Sequence, residues 1–246
     1  MSISRLNKRN YLNVDVKSYM DKMKYAALFS GGKDSALALW KAQKDGLNVE
    51  YLVTVFPERD DSYMFHKPNL DFVPDIAESL GIELVKVGTE GEKEKELEDL
   101  KRGLESLEVD GIITGAVASS YQYERLENLS SQLGLELYAP LWDMDQEILL
   151  NELLEDDFEV IIVSVAAMGF DEEWLGREID RDCVVELEGL NEKYGINVAG
   201  EGGEYESLVL NAPNYHWGFE VVQSNIKWDG HRGEYDIKRI KKRDRK

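Results

Sequence analysis

From residue 24 onward the chain alternates short apolar runs with amphipathic stretches. The runs occupy 25–29, 49–55, 82–87, 111–114 and 160–165, and helical stretches begin near Asp34, Asn69, Glu92 and Tyr121, with another over 147–154. Strand and helix in that rhythm are the mark of βαβ units, and they predict an α/β fold with a parallel sheet flanked by helices. In GEKEKELEDLKRGLESL, Leu97, Leu100, Leu104 and Leu107 form one apolar stripe among charges, which predicts a helix with one buried and one solvated face. Gly46, Gly81 and Gly134 each close a helical pattern ahead of a strand, as left-handed helix caps do.

Beyond about residue 140 the rhythm changes. A helical stretch over 181–194 leads into AGEGGEYESLVL, and short alternating runs follow around 219–222 and 234–237 with Pro, Asn and Gly between them. This predicts a smaller α+β part packed on the first, with a cleft between them. The resulting division is an extension over 1–22, a first domain over 23–140, a second over 141–236, and a basic tail, IKRIKKRDRK, over 237–246. The tail is expected to be a solvated, mobile end. Met23 offers a second start after the extension.

Charge narrows the partners. Lys and Arg number 29 against 49 Asp and Glu, a net charge of −20. The first 22 residues hold five basic and two acidic groups and the last ten hold seven and one, leaving 17 basic and 46 acidic groups on 23–236. Nucleic-acid affinity comes largely from basic side chains neutralising phosphates, so no direct nucleic-acid partner is expected. A cationic partner suits such a body, and so does a simple role in solubility. Cys183 stands alone, which excludes an internal disulfide or a cysteine-based metal cluster and reads as a small buried hydrophobe. No apolar run approaches the roughly 18 residues of a spanning helix and the start lacks a secretory apolar core, so a cytoplasmic protein without a membrane partner is expected.

The strongest chemical signal is Ser30-Gly31-Gly32-Lys33-Asp34-Ser35, set between the strand YAALF and a helix opening SALALWKAQ. Glycines at 31 and 32 let backbone N–H groups approach an anion closely, and Ser30, Ser35 and the helix start supply further donors. The helix end adds the equivalent of about half a positive charge. Lys33 adds a full one. The spacing does not fit the Walker A loop.

SGGKDS resembles the PP-loop of the N-type ATP pyrophosphatases, which split ATP between its α and β phosphates. The resemblance implies a Rossmann-like sheet in which the loop holds the pyrophosphate end of ATP, with Asp34 a candidate ligand for Mg2+. It also places adenine at the switch point of the sheet, which brings in Thr54 and the segment Tyr63-Met64-Phe65-His66. Two further stretches, GAVASSYQYERLENLSSQLGLELYAPLW and GEGGEYES, resemble one branch, the diphthine-ammonia ligase family. SYMFH matches a third family segment, although Lys67-Pro68 departs from the Thr expected after the His. The resemblance spans residue 24 to about residue 210.

Several residues carry both a structural and a functional reading. Gly115 ends a strand where the backbone passes close to a ligand, and Ser119 caps the next helix or touches phosphate. Tyr121, Gln122 and Arg125 lie on adjoining turns, with Arg125 meeting the α-phosphate, a substrate carboxylate or a nearby acid. Glu201, Gly202, Gly203, Glu204, Tyr205 and Glu206 read either as an ordinary acidic turn or as a close-approach loop for the trimethylammonium group of diphthine, with Tyr205 or Trp142 facing the cation. The family implies amidation of diphthine on elongation factor 2. The carboxylate attacks ATP to give an acyl-adenylate and pyrophosphate, and free ammonia then displaces AMP, with Lys33, Asp34 and Arg125 as the catalytic candidates. A homodimer stays open. The rivals are another PP-loop adenylating enzyme, such as a tRNA-modifying one, and a nucleotide-binding module without chemistry.

Overall fold

The computed structural model describes residues 23–57, 70–89 and 93–245. A five-stranded parallel sheet comes first. It is built from β1 (Lys24–Leu28), β2 (Asn48–Pro57), β3 (Glu83–Thr89), β4 (Gly111–Ile113) and β5 (Glu136–Tyr138), in the order β3-β2-β1-β4-β5. The connecting helices are α1 (Lys33–Lys44), α2 (Val73–Leu80), α3 (Lys93–Glu105) and α4 (Ser120–Leu133). The central strand shows why the pattern read as an apolar run. Tyr25 and Ala27 pack with Leu37, Leu39, Val73 and Ile76 of α1 and α2, whereas Ala26 packs on the other side with Leu100, Leu104 and Leu129 of α3 and α4. Both faces are covered, so alternation disappears. The leucine stripe of α3 is buried as expected, with Leu100 and Leu104 innermost and Leu97 and Leu107 beside them. Gly81 and Gly134 are left-handed caps, and Gly46 adopts φ +84° one residue beyond the cap of α1.

The remaining elements form a second, antiparallel sheet. After α5 (Gln146–Glu155) come β6 (Glu159–Val165), α6 (Arg181–Tyr194), β7 (Tyr205–Asn211), β8 (Gly218–Trp228) and β9 (Gly233–Arg243), with strand order β7-β6-β9-β8. One expectation is corrected here. The run over 160–165 was grouped with the parallel strands, but it pairs antiparallel with β7 and β9. A continuous apolar run records burial on both faces and carries no direction, so the two sheets look alike in it. The three-residue strand β5 and the strand β7 had no clear run of their own.

The basic end is also corrected. Residues 237–243 are not a free tail but most of β9, paired with β8 from Gly233 to Arg243. Ile237 is 6% exposed and Ile240 packs beside it on the core, while the flanking charges find acids of the body. Lys238 pairs with Asp236 at 2.7 Å, Lys241 with Glu220 at 3.0 Å, Lys242 with Glu78 of α2 at 2.8 Å and Arg243 with Glu159 of β6. The ladder with β8 and the apolar side chains of Ile237 and Ile240 anchor the strand, and its basic side chains pair with acids at the surface.

The two sheets share one hydrophobic cluster, which runs from Leu37 and Ile76 through Leu149 and Leu153 to Val163 and Phe219. Polar ties reinforce the seam. The indole of Trp40 donates to Asp156 at 2.8 Å, Lys41 pairs with Glu152 at 2.5 Å, and Ser79 exchanges hydrogen bonds with the backbone of Trp217. Cys183 is buried, and burial pushes its thiol up to about 12, so it is the inert hydrophobe its isolation implied. Among the described residues no helix is long and apolar enough to cross a membrane.

Removing residues 237–246 takes away most of β9 together with its ion pairs. We expect the melting temperature to fall by at least about 5 °C, on the order of 1 kcal/mol or more for a chain of this size. Calorimetry of the truncated chain checks this, and an unchanged transition would return the segment to a dispensable tail.

Candidate functional site

The nucleotide loop leaves β1 at the centre of the parallel sheet, where β2 and β3 extend to one side and β4 and β5 to the other. Open α/β sheets bind ligands at such a switch point. Phe29 donates to the Val53 carbonyl at 2.9 Å, and Thr54 donates its hydroxyl to the Phe29 carbonyl at 2.6 Å. Thr54 is 2% exposed, so this candidate for adenine contact serves instead to hold the strand end from which the loop departs.

Within the loop the two serines close a tight ring. The Ser30 N–H donates to Ser35 Oγ at 3.2 Å, the two hydroxyls lie 3.3 Å apart, and Ser35 Oγ donates to the Gly32 carbonyl at 3.0 Å. Gly31 takes φ +78°, a left-handed conformation that favours glycine. Gly32 occupies the N-cap position of α1 and has no side chain with which to cap it. The first N–H of α1, that of Lys33, is bonded by Ser207 Oγ at 3.2 Å, and the Ala36 N–H returns to the Gly32 carbonyl at 3.1 Å. The N–H groups of Asp34 and Ser35 have no partner among the described residues and sit at the positive end of the helix. This is an anion cradle.

Gly115 lies directly against it. A Cβ added there would stand 2.7 Å from the backbone carbon and oxygen of Asp34 and 2.8 Å from the Ser35 nitrogen. The close approach read from the sequence is therefore to the loop backbone rather than to a ligand. Backbone atoms cannot swing aside as a side-chain tip can.

Lys33 does not project freely. Its side chain is 4% exposed, its ammonium lies 2.8 Å from both oxygens of Asp34 and 3.7 Å from Glu201, and it sits 5.6 Å from the centre of the Tyr205 ring. Burial alone would lower its pKa, but Asp34, Tyr205 and Glu201 more than reverse this and hold it protonated. Burial and the neighbouring Asp34 charge push Glu201 up to about 7, with the Lys33 ammonium opposing them. The Lys33 ammonium thus pairs tightly within its own loop and reaches the acidic loop through Glu201.

The acidic loop has its own internal frame. Glu204 accepts from the Asn197 N–H at 2.9 Å and from the Gly202 N–H at 2.8 Å, and Asn197 Oδ1 accepts from Ala199 and Glu201. Both oxygens of Glu204 are thus engaged in shaping the loop, where the sequence had suggested a contact to a substrate cation. Tyr205 is corrected in the same way. It is 3% exposed, donates its hydroxyl to the Val198 carbonyl at 3.0 Å and turns its ring toward Lys33. Gly202, Gly203 and Glu206 remain exposed.

A third group surrounds the start of α4. Ser119 is its N-cap, accepting from the Gln122 N–H at 3.3 Å, and Gln122 itself is exposed. Arg125 bonds the Tyr121 hydroxyl and lies 5.0 Å from its ring centre, as spacing of four residues allows. It also lines a 210 Å³ groove with Leu97, Lys101 and Gln132, on the side of α4 that faces α3. Trp142 stacks on Tyr123 at 4.1 Å, and the adjoining Asp143 N–H bonds the Val117 carbonyl at the end of β4. His66 lies outside the described residues.

The structure therefore joins the loop over 30–35 with Gly115, Glu201 and Tyr205, whereas Arg125 pairs with Tyr121 and faces α3, and Trp142 packs on Tyr123. Ser207 and Val209 were missed. Val209 donates to the Gly31 carbonyl at 2.9 Å, and with Ser207 it seats the loop on β7. Ser207 and Lys33 are 174 positions apart, a separation that no local pattern spans.

A parallel sheet with an SGGKDS loop at its switch point defines a PP-loop nucleotide-binding α/β protein. Residues 23–137 match the diphthamide synthase N-terminal domain and residues 145–243 the diphthamide synthase C-terminal domain, and the chain belongs to the diphthamide synthase family. It is 36% identical over 227 residues to the diphthine–ammonia ligase of Bos taurus and 35% identical over 227 residues to that of Homo sapiens; each match covers 83% of this chain and 85% of the relative. The diphthine–ammonia ligase of Saccharomyces cerevisiae is 30% identical over 242 residues, covering 83% of this chain and 35% of that protein. Among solved structures, it is similar to a predicted subunit of tRNA methyltransferase from Methanocaldococcus jannaschii, at 18% identity and TM-score 0.43, covering 77% of this chain and 97% of that one. A further similarity is to the U34-tRNA thiolase NcsA from Methanococcus maripaludis, at 17% identity and TM-score 0.38, covering 74% and 70%.

Two substitutions test the frame. Gly115→Ala forces a methyl group onto the loop backbone and should cost about 1–3 kcal/mol, read as a lower urea midpoint with weakened ATP binding. Wild-type affinity would mean that the loop yields without consequence. Glu204→Gln replaces one of two acceptors with a donor facing an N–H and should lower stability by about 1–3 kcal/mol. An unchanged midpoint would show that the carboxylate is not needed by its own loop.

Proposed function

We propose that the protein amidates diphthine on elongation factor 2, using ATP and free ammonia. The observation that carries this reading is the meeting of the two loops, in which Lys33 of SGGKDS lies 2.8 Å from Asp34 and 3.7 Å from Glu201 of the acidic loop. The phosphate loop and the acidic loop thereby lie side by side. The names of the relatives supply the acceptor, diphthine, and the nitrogen donor, ammonia.

The residues fit a nucleotide and its metal. The N–H groups of Asp34 and Ser35 have no acceptor among the described residues at the helix start, where each hydrogen bond to a charged phosphate contributes roughly 1.5–3 kcal/mol. The Asp34 side chain keeps 28% of its surface exposed, and magnesium sites commonly combine one or two carboxylates with substrate phosphates. Asp34 would hold the magnesium ion, whose charge when bound stabilises the departing pyrophosphate. Lys33, paired with Asp34 and near Glu201, orders the loop around them. The exposed Gly202, Gly203 and Glu206 face the trimethylammonium group of diphthine, and its carboxylate reaches the α-phosphorus. Attack there gives an acyl-adenylate and pyrophosphate, and ammonia displaces AMP to form the amide. Catalysis rests on positioning and charge stabilisation, and no nucleophilic side chain is needed.

The purified protein should release AMP and pyrophosphate only when ammonia and elongation factor 2 bearing diphthine are both present. ATP binding without AMP release under those conditions would leave a nucleotide-binding module. Asp34→Ala should reduce AMP formation by about a hundredfold or more. Unchanged turnover would remove Asp34 from the metal site.

A further inference from the structure

Helix α1 lacks a cap from its own sequence. Gly32 stands at the N-cap position with extended backbone and no side chain, so the Lys33 N–H would be an orphan donor. The acceptor comes from the other sheet instead: Ser207 Oγ, on β7, lies 3.2 Å from the Lys33 nitrogen. A second contact two residues along the same strand fixes the preceding turn, where the Val209 N–H meets the Gly31 carbonyl at 2.9 Å. A Cβ at Gly32 would stand 3.4 Å from the Ser207 carbonyl oxygen and 3.7 Å from its hydroxyl, so β7 forms the floor of the loop.

We propose that Ser207 is a positioning residue for the nucleotide site, capping α1 from the second sheet and so aiming the N–H groups of Asp34 and Ser35 at the phosphates. It acts through the backbone of Lys33 and touches no reacting atom. This rests on the reading of residues 30–35 as the phosphate loop. The cap fixes the first turn, and the next two N–H groups inherit its orientation. With the cap removed, the Lys33 N–H is free to compete for the ligand and the first turn can fray. The position therefore acts mainly on nucleotide affinity and only weakly on turnover once the site is filled.

The test compares Ser207→Thr with Ser207→Val, which add the same methyl group to the site and differ in the hydroxyl. ATP binding is measured by titration calorimetry, thermal stability by melting, and the KM for ATP and kcat in the ligase assay. Ser207→Thr should stay within about threefold of the wild-type dissociation constant. Ser207→Val should bind about tenfold more weakly, with KM rising in parallel and kcat at saturating ATP changing less. Equal affinity of the two variants would overturn the proposal, as would a lower melting temperature of the Val variant at unchanged affinity. If the Val variant fails to fold, Ser207→Ala replaces it in the comparison with the same criterion. Wild-type protein that does not bind ATP would overturn the phosphate-loop reading itself, whereas binding by wild type and equal binding by both variants overturns only the role of Ser207.

Discussion

One buried cation lies where the phosphate loop meets the acidic loop. The Lys33 ammonium, 4% exposed, neutralises Asp34 in its own loop and reaches Glu201 in the acidic loop. A charge withdrawn from water is stable only with partners and well-placed hydrogen bonds, so the geometry of the two loops is mutually determined. Around this contact Ser207 and Val209 of β7 seat the backbone of the phosphate loop, and Gly115 closes on it from the end of β4. Displacing any of these elements would expose the ammonium or leave its acids unpaired.

The same arrangement explains how an acidic chain can present a phosphate site. The net charge of −20 opposes anion binding at long range, but the loop works at hydrogen-bond distance. Its donors are backbone groups, fixed by a helix start and by glycines, and their partial charges need no exposed lysine. Burial, and after it the Asp34 charge, pushes Glu201 up to about 7 at the edge of this loop.

Much of this was legible in the sequence. The parallel sheet, its helices and the loop at its switch point follow from apolar runs and a glycine-rich motif, because those signals are local. What escaped was non-local or ambiguous in sign. The run over 160–165 has the same composition in either sheet, and the basic residues of 238–243 read as solvated because their partners Glu78, Glu159 and Glu220 lie elsewhere in the chain. In the candidate site several side chains have partners that the sequence did not show. Glu204, Tyr205 and Thr54 looked like ligand contacts by type, and each is engaged with protein backbone, which type alone does not reveal. Ser207 stands within the quoted GEGGEYES, yet its partner is 174 positions away.

The hydrophobic cluster shared by the two sheets has a further meaning for how the chain comes apart. Leu37 and Ile76 of the first half and Leu149, Val163 and Phe219 of the second belong to one continuous interior. Separating the halves would bare that interior on both sides at once. The two matched family segments are therefore not independent modules joined by a tether but complementary pieces of one cooperative unit, whose amides in the phosphate loop and in β7 should gain and lose protection against solvent exchange together.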